Sequence, residues 1–298
     1  MQQWHSAVLS VLLICAAVAP VAGAPSADAS LAEDDCAFPI EATDASGETV
    51  RIAEEPERVV TLNPSAAQIM WEIGAEDSVV GVTKHAMNLD GAEDRTNIST
   101  DGETINPEVV ADLEPDLVLA PSSQMVSDEL VELLREVGLT VYHYPSASSI
   151  DDVREHTLLT GQLVGECEGA EETVEEMDRE LAVAEAALEG RDRPDVLYVF
   201  FGFTAGENTF IHEIIEAAGG TNLAAEVGIS EYQKVNDEMV ATEDPEWIVR
   251  NSNSPENTDS EADDGTTAVR DNQTIVVNIN NLNRPGQRIV YAIAELAE

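Results

Sequence analysis

Short apolar runs bounded by turn residues alternate along most of this chain with segments whose apolar positions recur three and four residues apart. That alternation predicts strands at 59–62, 79–82, 117–120 and 140–144, with helices over 64–73, 107–113 and 126–137 between them. An opening hairpin is expected at 38–52, with Asp44-Ala45-Ser46-Gly47 as its turn. From 150 to 189 the chain is rich in Ala, Glu and Leu and almost free of Pro, with Gly165 and Gly169 marking a break. Its second part, 168–189, predicts a helix about 33 Å long that ends at 191–194. A second set follows: a strand at 196–201, helices at 208–218 and 237–242, a strand at 247–250, a polar loop at 251–264, a strand at 274–278 and a last helix from Pro285. The pattern reads as an α/β protein of two lobes on one long helix: arm and hairpin at 30–57, first lobe at 58–167, connecting helix at 168–190, second lobe at 191–298.

Charge then removes whole classes of partner. Against 59 Asp and Glu stand 14 Lys and Arg, only two of them lysines, Lys84 and Lys234, for a net charge of -45. Nucleic acid requires clustered cations to neutralise phosphate, and an anionic membrane surface would repel this chain. Extreme charge can also signal disorder, but 43% hydrophobic residues in recurring segments argue for a packed core with the acid outside. Such a surface suits concentrated salt, where a Debye length of about 3 Å at 1 M screens self-repulsion, and predicts a halophilic setting.

Residues 8–24 are apolar and small, interrupted by Pro20, and read as a signal peptide within 1–29, with Ala22-Gly23-Ala24 or Ala27-Asp28-Ala29 at the cleavage site. Export would remove one acid, Asp28, and Cys15, leaving Cys36 and Cys167 in an oxidising compartment. A disulfide between these two is expected, pinning the N-terminal arm to the middle of the chain; two unrelated thiols are the alternative. No later stretch is apolar enough to span a membrane.

Two segments repeat each other. Residues 105–119 lie on 235–249 without gaps at an offset of 130, with Asn106/Asn236, Glu108/Glu238, Val110/Val240, Ala111/Ala241 and Pro115/Pro245 identical. In each copy Asn is placed as a helix N-cap, Glu falls in the first turn where the helix dipole favours a carboxylate, and Pro precedes a strand. A first-turn Glu needs no function of its own, but the matched offset gives each lobe one Glu at an equivalent helix start.

Catalytic chemistry does not stand out. No GxSxG elbow, Walker A loop or GxGxxG turn occurs, and His212-Glu213-Ile214-Ile215-Glu216 lacks the second His of a zinc-protease helix. The five histidines are scattered, so no metal site is expected; His156 and His212 read as helix filler, while His85 and His143 follow or sit in strands. Among 59 acids no pair can be singled out as catalysts, so neither an enzyme nor a resident cofactor is expected.

The stretch Glu57-Arg58-Val59-Val60-Thr61-Leu62-Asn63-Pro64-Ser65-Ala66-Ala67, followed by Ile73-Gly74-Ala75 and Val79-Val80-Gly81-Val82, resembles the opening of the iron-siderophore and cobalamin class of ABC-transporter solute-binding proteins. Asn106-Pro107-Glu108 leading into Leu113-Glu114-Pro115-Asp116-Leu117-Val118, and Ala217-Ala218-Gly219-Gly220-Thr221-Asn222-Leu223, are similar to later blocks of that class, so the resemblance runs from about 38 to 297. It implies two Rossmann-like lobes on a helical backbone, the class III solute-binding architecture, working as a monomer at the extracellular face of the cell membrane with a permease and its ATPase. Glu108 and Glu238 match the lobe-tip glutamates that dock on permease arginines. Gln68 departs from the Glu that many relatives carry. Haloarchaeal, surface-anchored members look most similar, and those continue into a Thr-rich linker and hydrophobic tail where this chain stops at Glu298.

Ligands of α/β lobes sit beyond the carboxyl ends of strands. That rule directs attention to Asn63, Pro64 and Ser65, to Lys84, His85 and Met87, and to Pro121, Ser122 and Ser123 in the first lobe. In the second lobe it selects Phe201, Gly202, Phe203 and Thr204, then Tyr232, then Asn281, Leu282 and Arg284. Tyr232 falls in the loop where cobalamin-binding relatives place an aromatic; Phe201 and Phe203 either wall the cleft or merely cover the sheet. Apolar, aromatic walls suit a corrin face, whereas an anionic ferric siderophore calls for cations beyond Lys84, Lys234 and Arg284, and haem iron calls for a ligating tyrosine. Cobalamin is the expected small-molecule ligand, with ferric siderophore or haem as alternatives. Asn97-Ile98-Ser99 and Asn272-Gln273-Thr274 are glycosylation triplets in keeping with export.

Overall fold

The opening hairpin forms around the predicted turn. In the computed structural model, which describes residues 36–101, 104–253 and 265–298, β1 (Ile40–Thr43) and β2 (Thr49–Ile52) pair antiparallel. The Asp44 carboxylate accepts from the Ser46 N–H and hydroxyl and from the Glu48 N–H, while Gly47 supplies the left-handed backbone (φ 81°) that closes the loop. The segment read as a signal peptide lies outside the described residues.

In the first lobe, β3 (Val59–Thr61), α1 (Pro64–Glu72), β4 (Val79–Val82), β5 (Thr96–Asn97), α2 (Pro107–Asp112), β6 (Leu117–Pro121), α3 (Asp128–Glu136) and β7 (Val141–Tyr144) follow one another. The strands form a parallel sheet in the order β5-β4-β3-β6-β7. Continuous apolar strands are what a sheet covered on both faces requires, and the period of two divides them: Val59, Leu117 and Leu119 pack with α1, whereas Val60, Leu62, Val118 and Ala120 pack with Val110 of α2 and Leu134 of α3. Each helix starts at a polar cap. Asn63 accepts the Ala66 N–H at 2.8 Å ahead of Pro64, and Ser127 accepts the Leu130 N–H at 3.4 Å.

The connecting segment is two helices, α4 (Ile150–Val164) and α5 (Cys167–Leu188). Gly165, left-handed at φ 84°, ends the first. Gly169 is not part of the break. It lies inside α5, where a β-carbon would stand 2.1 Å from the Ile73 carbonyl, so its role is close approach of α5 to the end of α1. Cys36 and Cys167 are disulfide-bonded with Cα atoms 6.2 Å apart, tying the arm to the start of α5.

The second lobe runs β8 (Asp195–Tyr198), β9 (Phe203–Ala205), α6 (Phe210–Ala217), β10 (Thr221–Asn222), α7 (Leu223–Glu226), β11 (Tyr232–Lys234), α8 (Asp237–Glu243), β12 (Trp247–Asn251), α9 (Thr267–Arg270), β13 (Thr274–Val277), α10 (Ile279–Leu282) and α11 (Ile289–Ala297). Its parallel sheet has the order β10-β8-β12-β13, the first lobe's order without β5, and β9 pairs with β11 in a small antiparallel ribbon. Two boundaries differ from expectation. β8 stops at Tyr198 because Phe201 (φ 48°) and Gly202 (φ 77°) turn the chain back, pairing Phe200 with Phe203. The last helix begins at Ile289 rather than Pro285, because 284–288 reaches across to the first lobe. Of the predicted polar loop, 254–264 lies outside the described residues.

The internal repeat is structural. Asn106 accepts from the N–H groups of Glu108 (3.1 Å) and Val109 (3.4 Å), and Asn236 from those of Glu238 (2.9 Å) and Met239 (3.3 Å). Val110 and Val240 are fully buried, and Glu114 (φ 46°) and Asp244 (φ 49°) share the same left-handed turn before proline. Asp116 and Glu246 then enter β6 and β12 by the same bond, donating to Arg58 and Asp195 carbonyls at 2.8 and 3.0 Å.

Candidate functional site: a cleft between two sheet ends

In each sheet the chain leaves the two central strands in opposite directions, so β3 and β6, and likewise β8 and β12, part at their carboxyl ends. A cavity of about 350 Å³ opens beyond the ends of β3 and β6. The start of α1 (Asn63–Ala66) and the turn that follows β6 (121–125) wall it on one side, Tyr144, His156 and Thr160 floor it, and Asn283, Arg284 and Pro285 close it from the second lobe. It continues into a trough of about 710 Å³ that shares Ser122, Ser123 and Asn283 and adds Tyr232.

The first-lobe wall offers hydroxyls and rings held by internal bonds. The Ser122 hydroxyl donates to the Tyr144 carbonyl at 2.9 Å and so accepts from His143 Nε2–H at 2.8 Å. The Thr160 hydroxyl donates to the His156 carbonyl at 2.6 Å and accepts from the Tyr144 hydroxyl at 3.0 Å. Burial pushes the Tyr144 phenol well above its ordinary value, despite the Thr160 contact. His156 meets the Tyr144 ring edge-on at 5.2 Å, and burial lowers its pKa, against the pull of Asp152, so the imidazole facing the cavity is neutral.

The second-lobe wall is carried by amides. Asn283 donates to the Tyr198 hydroxyl at 2.8 Å and accepts from Asn251 Nδ2 at 2.9 Å, which fixes the orientation of its amide. The Tyr198 phenol is pushed up to about 12, first by burial. Arg284 is 9% exposed and donates to Asn88 Oδ1 at 2.9 Å and to the His85 carbonyl, both in the first lobe. Burial, and then the neighbouring Arg288, lower its pKa to about 10, which leaves it charged at neutral pH. Gln287 donates to Thr157 at 2.5 Å and Arg288 pairs with Glu72 at 2.6 Å, so this whole segment clasps the first lobe. Gln68, the departure noted above, is buried under it beside Gly286, where a β-carbon would lie 2.9 Å from its amide nitrogen.

Of the sequence-predicted ligand residues, Asn63, Ser65, Ser122 and Arg284 line the cavity and Tyr232 lines the trough, its ring 52% exposed. Lys84 and His85 form a short 3₁₀ turn outside both linings. Phe201 and Phe203, at the β8–β9 turn, are exposed beyond the trough. Leu282 does not reach the cleft: it is fully buried with Tyr198, Val277 and Ile289 in the second lobe's core. Sequence reasoning passed over Tyr144, His156, Thr160 and Asn283; the His156–Thr160 spacing of four on one helix face was the available signal. Glu108 and Glu238 are exposed at the first turns of α2 and α8. Among the described residues no cluster of three or more His, Cys, Asp or Glu could hold a metal, and no helix is long and apolar enough to cross a membrane.

Comparison with known proteins agrees with this architecture. Over 295 residues the chain is 42% identical to the cobalamin-binding protein of Halobacterium salinarum, covering 94% of this chain and 78% of that one. Among solved structures, the periplasmic heme-binding protein RhuT of Roseiflexus sp. RS-1 superposes with a TM-score of 0.73 at 24% identity, covering 81% of this chain and 96% of that one. The periplasmic vitamin B12 binding protein BtuF of Vibrio cholerae gives 0.71 at 21%, covering 81% and 95%. Residues 59–275 match the model of the periplasmic binding protein family, and this chain belongs to that family.

Proposed function

We propose that the protein is the extracellular solute-binding component of an ABC importer, capturing cobalamin between its lobes and delivering it to the permease and its ATPase. The observation that carries this reading is the cleft itself: rings and apolar surface, pre-oriented neutral hydroxyls and amides, Arg284 as the one cation among its described lining residues, and Asp128, Glu129 and Glu231 along the trough, which repel an anionic ligand. A corrin offers broad apolar faces rimmed by amides, for which such groups are the natural complement. A ferric siderophore would be matched by several cations rather than one. Haem is the second reading, supported by the neutral His156 imidazole and the Tyr232 ring on the cleft walls. The likeness to the Halobacterium protein named for cobalamin supports the first choice.

Delivery falls to Glu108 and Glu238. Exposed ion pairs contribute about 0–1 kcal/mol and less in salt, so these carboxylates hold a permease only where the interface desolvates them. The net charge of -45 fits an exported protein working as a monomer in brine. Calorimetric titration in high salt with cyanocobalamin, haemin and a ferric siderophore tests the ligand. Saturable one-to-one binding of cyanocobalamin alone is expected; binding of haemin or the siderophore in its place would transfer the assignment.

A further inference from the structure

The fold treats the two Asn-x-Ser/Thr triplets differently. Asn97 accepts the Ser99 N–H at 2.9 Å, Ile98 is fully buried, and the Ser99 hydroxyl accepts the Lys84 N–H at 3.0 Å. The Ile98 carbonyl takes the Asn106 N–H at 2.8 Å, so this triplet is built into the turn that caps α2 and presents Glu108. Asn272-Gln273-Thr274 lies instead where α9 turns into β13. Asn272 is exposed in the left-handed conformation (φ 58°), its backbone N–H is held by Val269, and its side chain has no hydrogen-bond partner among the described residues. Thr274, also exposed, is the first residue of the outermost strand. Amide and hydroxyl therefore stand free together at the entrance to a sheet edge.

That edge has a second property. β13 reads Thr-Ile-Val-Val, with no charge and no proline, and Val276 on it is 57% exposed. An uncharged edge strand templates pairing with other chains unless something covers it. The corresponding edge of the first lobe, β7, is covered by the hairpin turn, whose Ala45 N–H donates to the His143 carbonyl at 2.8 Å. Among the described residues β13 has no such cover from a hairpin, and the free triplet sits at its mouth.

We infer that Asn272 is an N-glycosylation site and that its glycan shields the β13 edge. The inference rests on the reading of the chain as exported, because the donor is a lipid-phosphate-linked oligosaccharide presented outside the cytoplasm. Asn272 Nδ2 forms the bond to the anomeric carbon, the anomeric C–O bond to phosphate breaks, the lipid phosphate leaves with the electron pair, and one amide proton passes to a base of the transferase. Thr274 supplies the hydroxyl two residues on that the transferase reads. Asn272 precedes its strand, so the glycan projects from the amino end of the sheet, opposite the carboxyl ends that wall the cleft.

Glycopeptide mass spectrometry of the protein purified from its own cells tests this. The Asn272 peptide is expected to carry a glycan and the Asn97 peptide none; Asn272→Gln and Thr274→Val should each abolish the modification, and Thr274→Ser should keep it. Asn272→Gln should also raise concentration-dependent self-association severalfold in sedimentation while cyanocobalamin affinity stays within about twofold. An exported, cobalamin-binding protein with unmodified Asn272, or one modified at Asn97 instead, overturns the site and leaves the functional reading standing. Protein retained inside the cell overturns both. A glycan at Asn272 whose loss leaves self-association unchanged overturns the shielding role.

Discussion

The two lobes share a four-strand parallel order and one helix–turn–strand unit, and differ in what braces them. The helix–turn–strand of α2 and β6 recurs in α8 and β12 down to its caps, its left-handed residue and its strand-entry bond. Outside that unit the first lobe is a braced frame: five strands, a hairpin, a disulfide, and an Asp44 carboxylate that takes Arg135 and the N–H groups of Ser46, Glu48 and His143. The second lobe has four strands, an exposed aromatic ribbon, and a segment that leaves its own core to grip the neighbour. Symmetry is kept where two equivalent carboxylates face outward. It is abandoned at the cleft, where the first lobe lines the cavity with Ser122, Tyr144 and Thr160 and the second with Asn283 and Arg284.

Removing the symmetric pair should have the largest effect. Truncating a desolvated interfacial charge costs about 2–5 kcal/mol, so Glu108→Ala with Glu238→Ala should lower cobalamin uptake by more than about a hundredfold while leaving calorimetric affinity unchanged. Unchanged uptake would show that the repeat serves only helix capping. Next comes the brace. Asp44→Ala removes the fully buried carboxylate beside Arg135, whose side chain is 18% exposed, and leaves it Glu48 at 3.1 Å, at a cost of about 3 kcal/mol and a fall in melting temperature on the order of 10 °C. A fall below about 2 °C would mean that the first lobe does not depend on this network. On the other wall, Tyr232→Ala should leave the melting temperature alone, since the ring is 52% exposed, and weaken cobalamin binding about tenfold.

The smallest expected effect is a pH dependence that His156 begins. Burial favours neutral His156, so its folded pKa lies below the ordinary 6.5; the stability it contributes is full above that value and is lost as pH falls below it. Asp44 follows at lower pH. Burial works against its charge, but Ser46, Arg135 and the His143 N–H outweigh burial and hold its carboxyl below the ordinary 3.8, so its contribution goes as pH falls through that depressed value. Denaturant midpoints should therefore begin to drop just under pH 6.5, and His156→Asn should flatten that first part of the curve. An unchanged slope in the variant would remove His156 from the explanation.

Local signals made the shared unit legible in the sequence. Asn106 and Asn236 cap the helices they were expected to cap, because a cap depends on neighbours in sequence. Where the chain's next contact lies in the other lobe, the same signals mislead. Pro285 reads as a helix start, yet 284–288 spends its groups on Asn88, Thr157 and Glu72. The run 196–201 reads as a strand because a Phe-Phe-Gly-Phe turn is as apolar as a strand interior. Tyr144, His156 and Thr160 meet only once α4 packs beside β7, and Leu282 turns inward one residue before Asn283 turns to the cleft. Neither fact has a short-range signature.

Where the ligand sits can be read directly by amide hydrogen exchange with and without saturating cyanocobalamin. Slower exchange is expected on both walls together, at 121–126 and 144–147 in the first lobe and at 231–234 and 283–285 in the second, with 106–110 and 236–240 unchanged. Protection on one wall alone, or at the tips rather than the walls, would contradict a ligand held between the lobes.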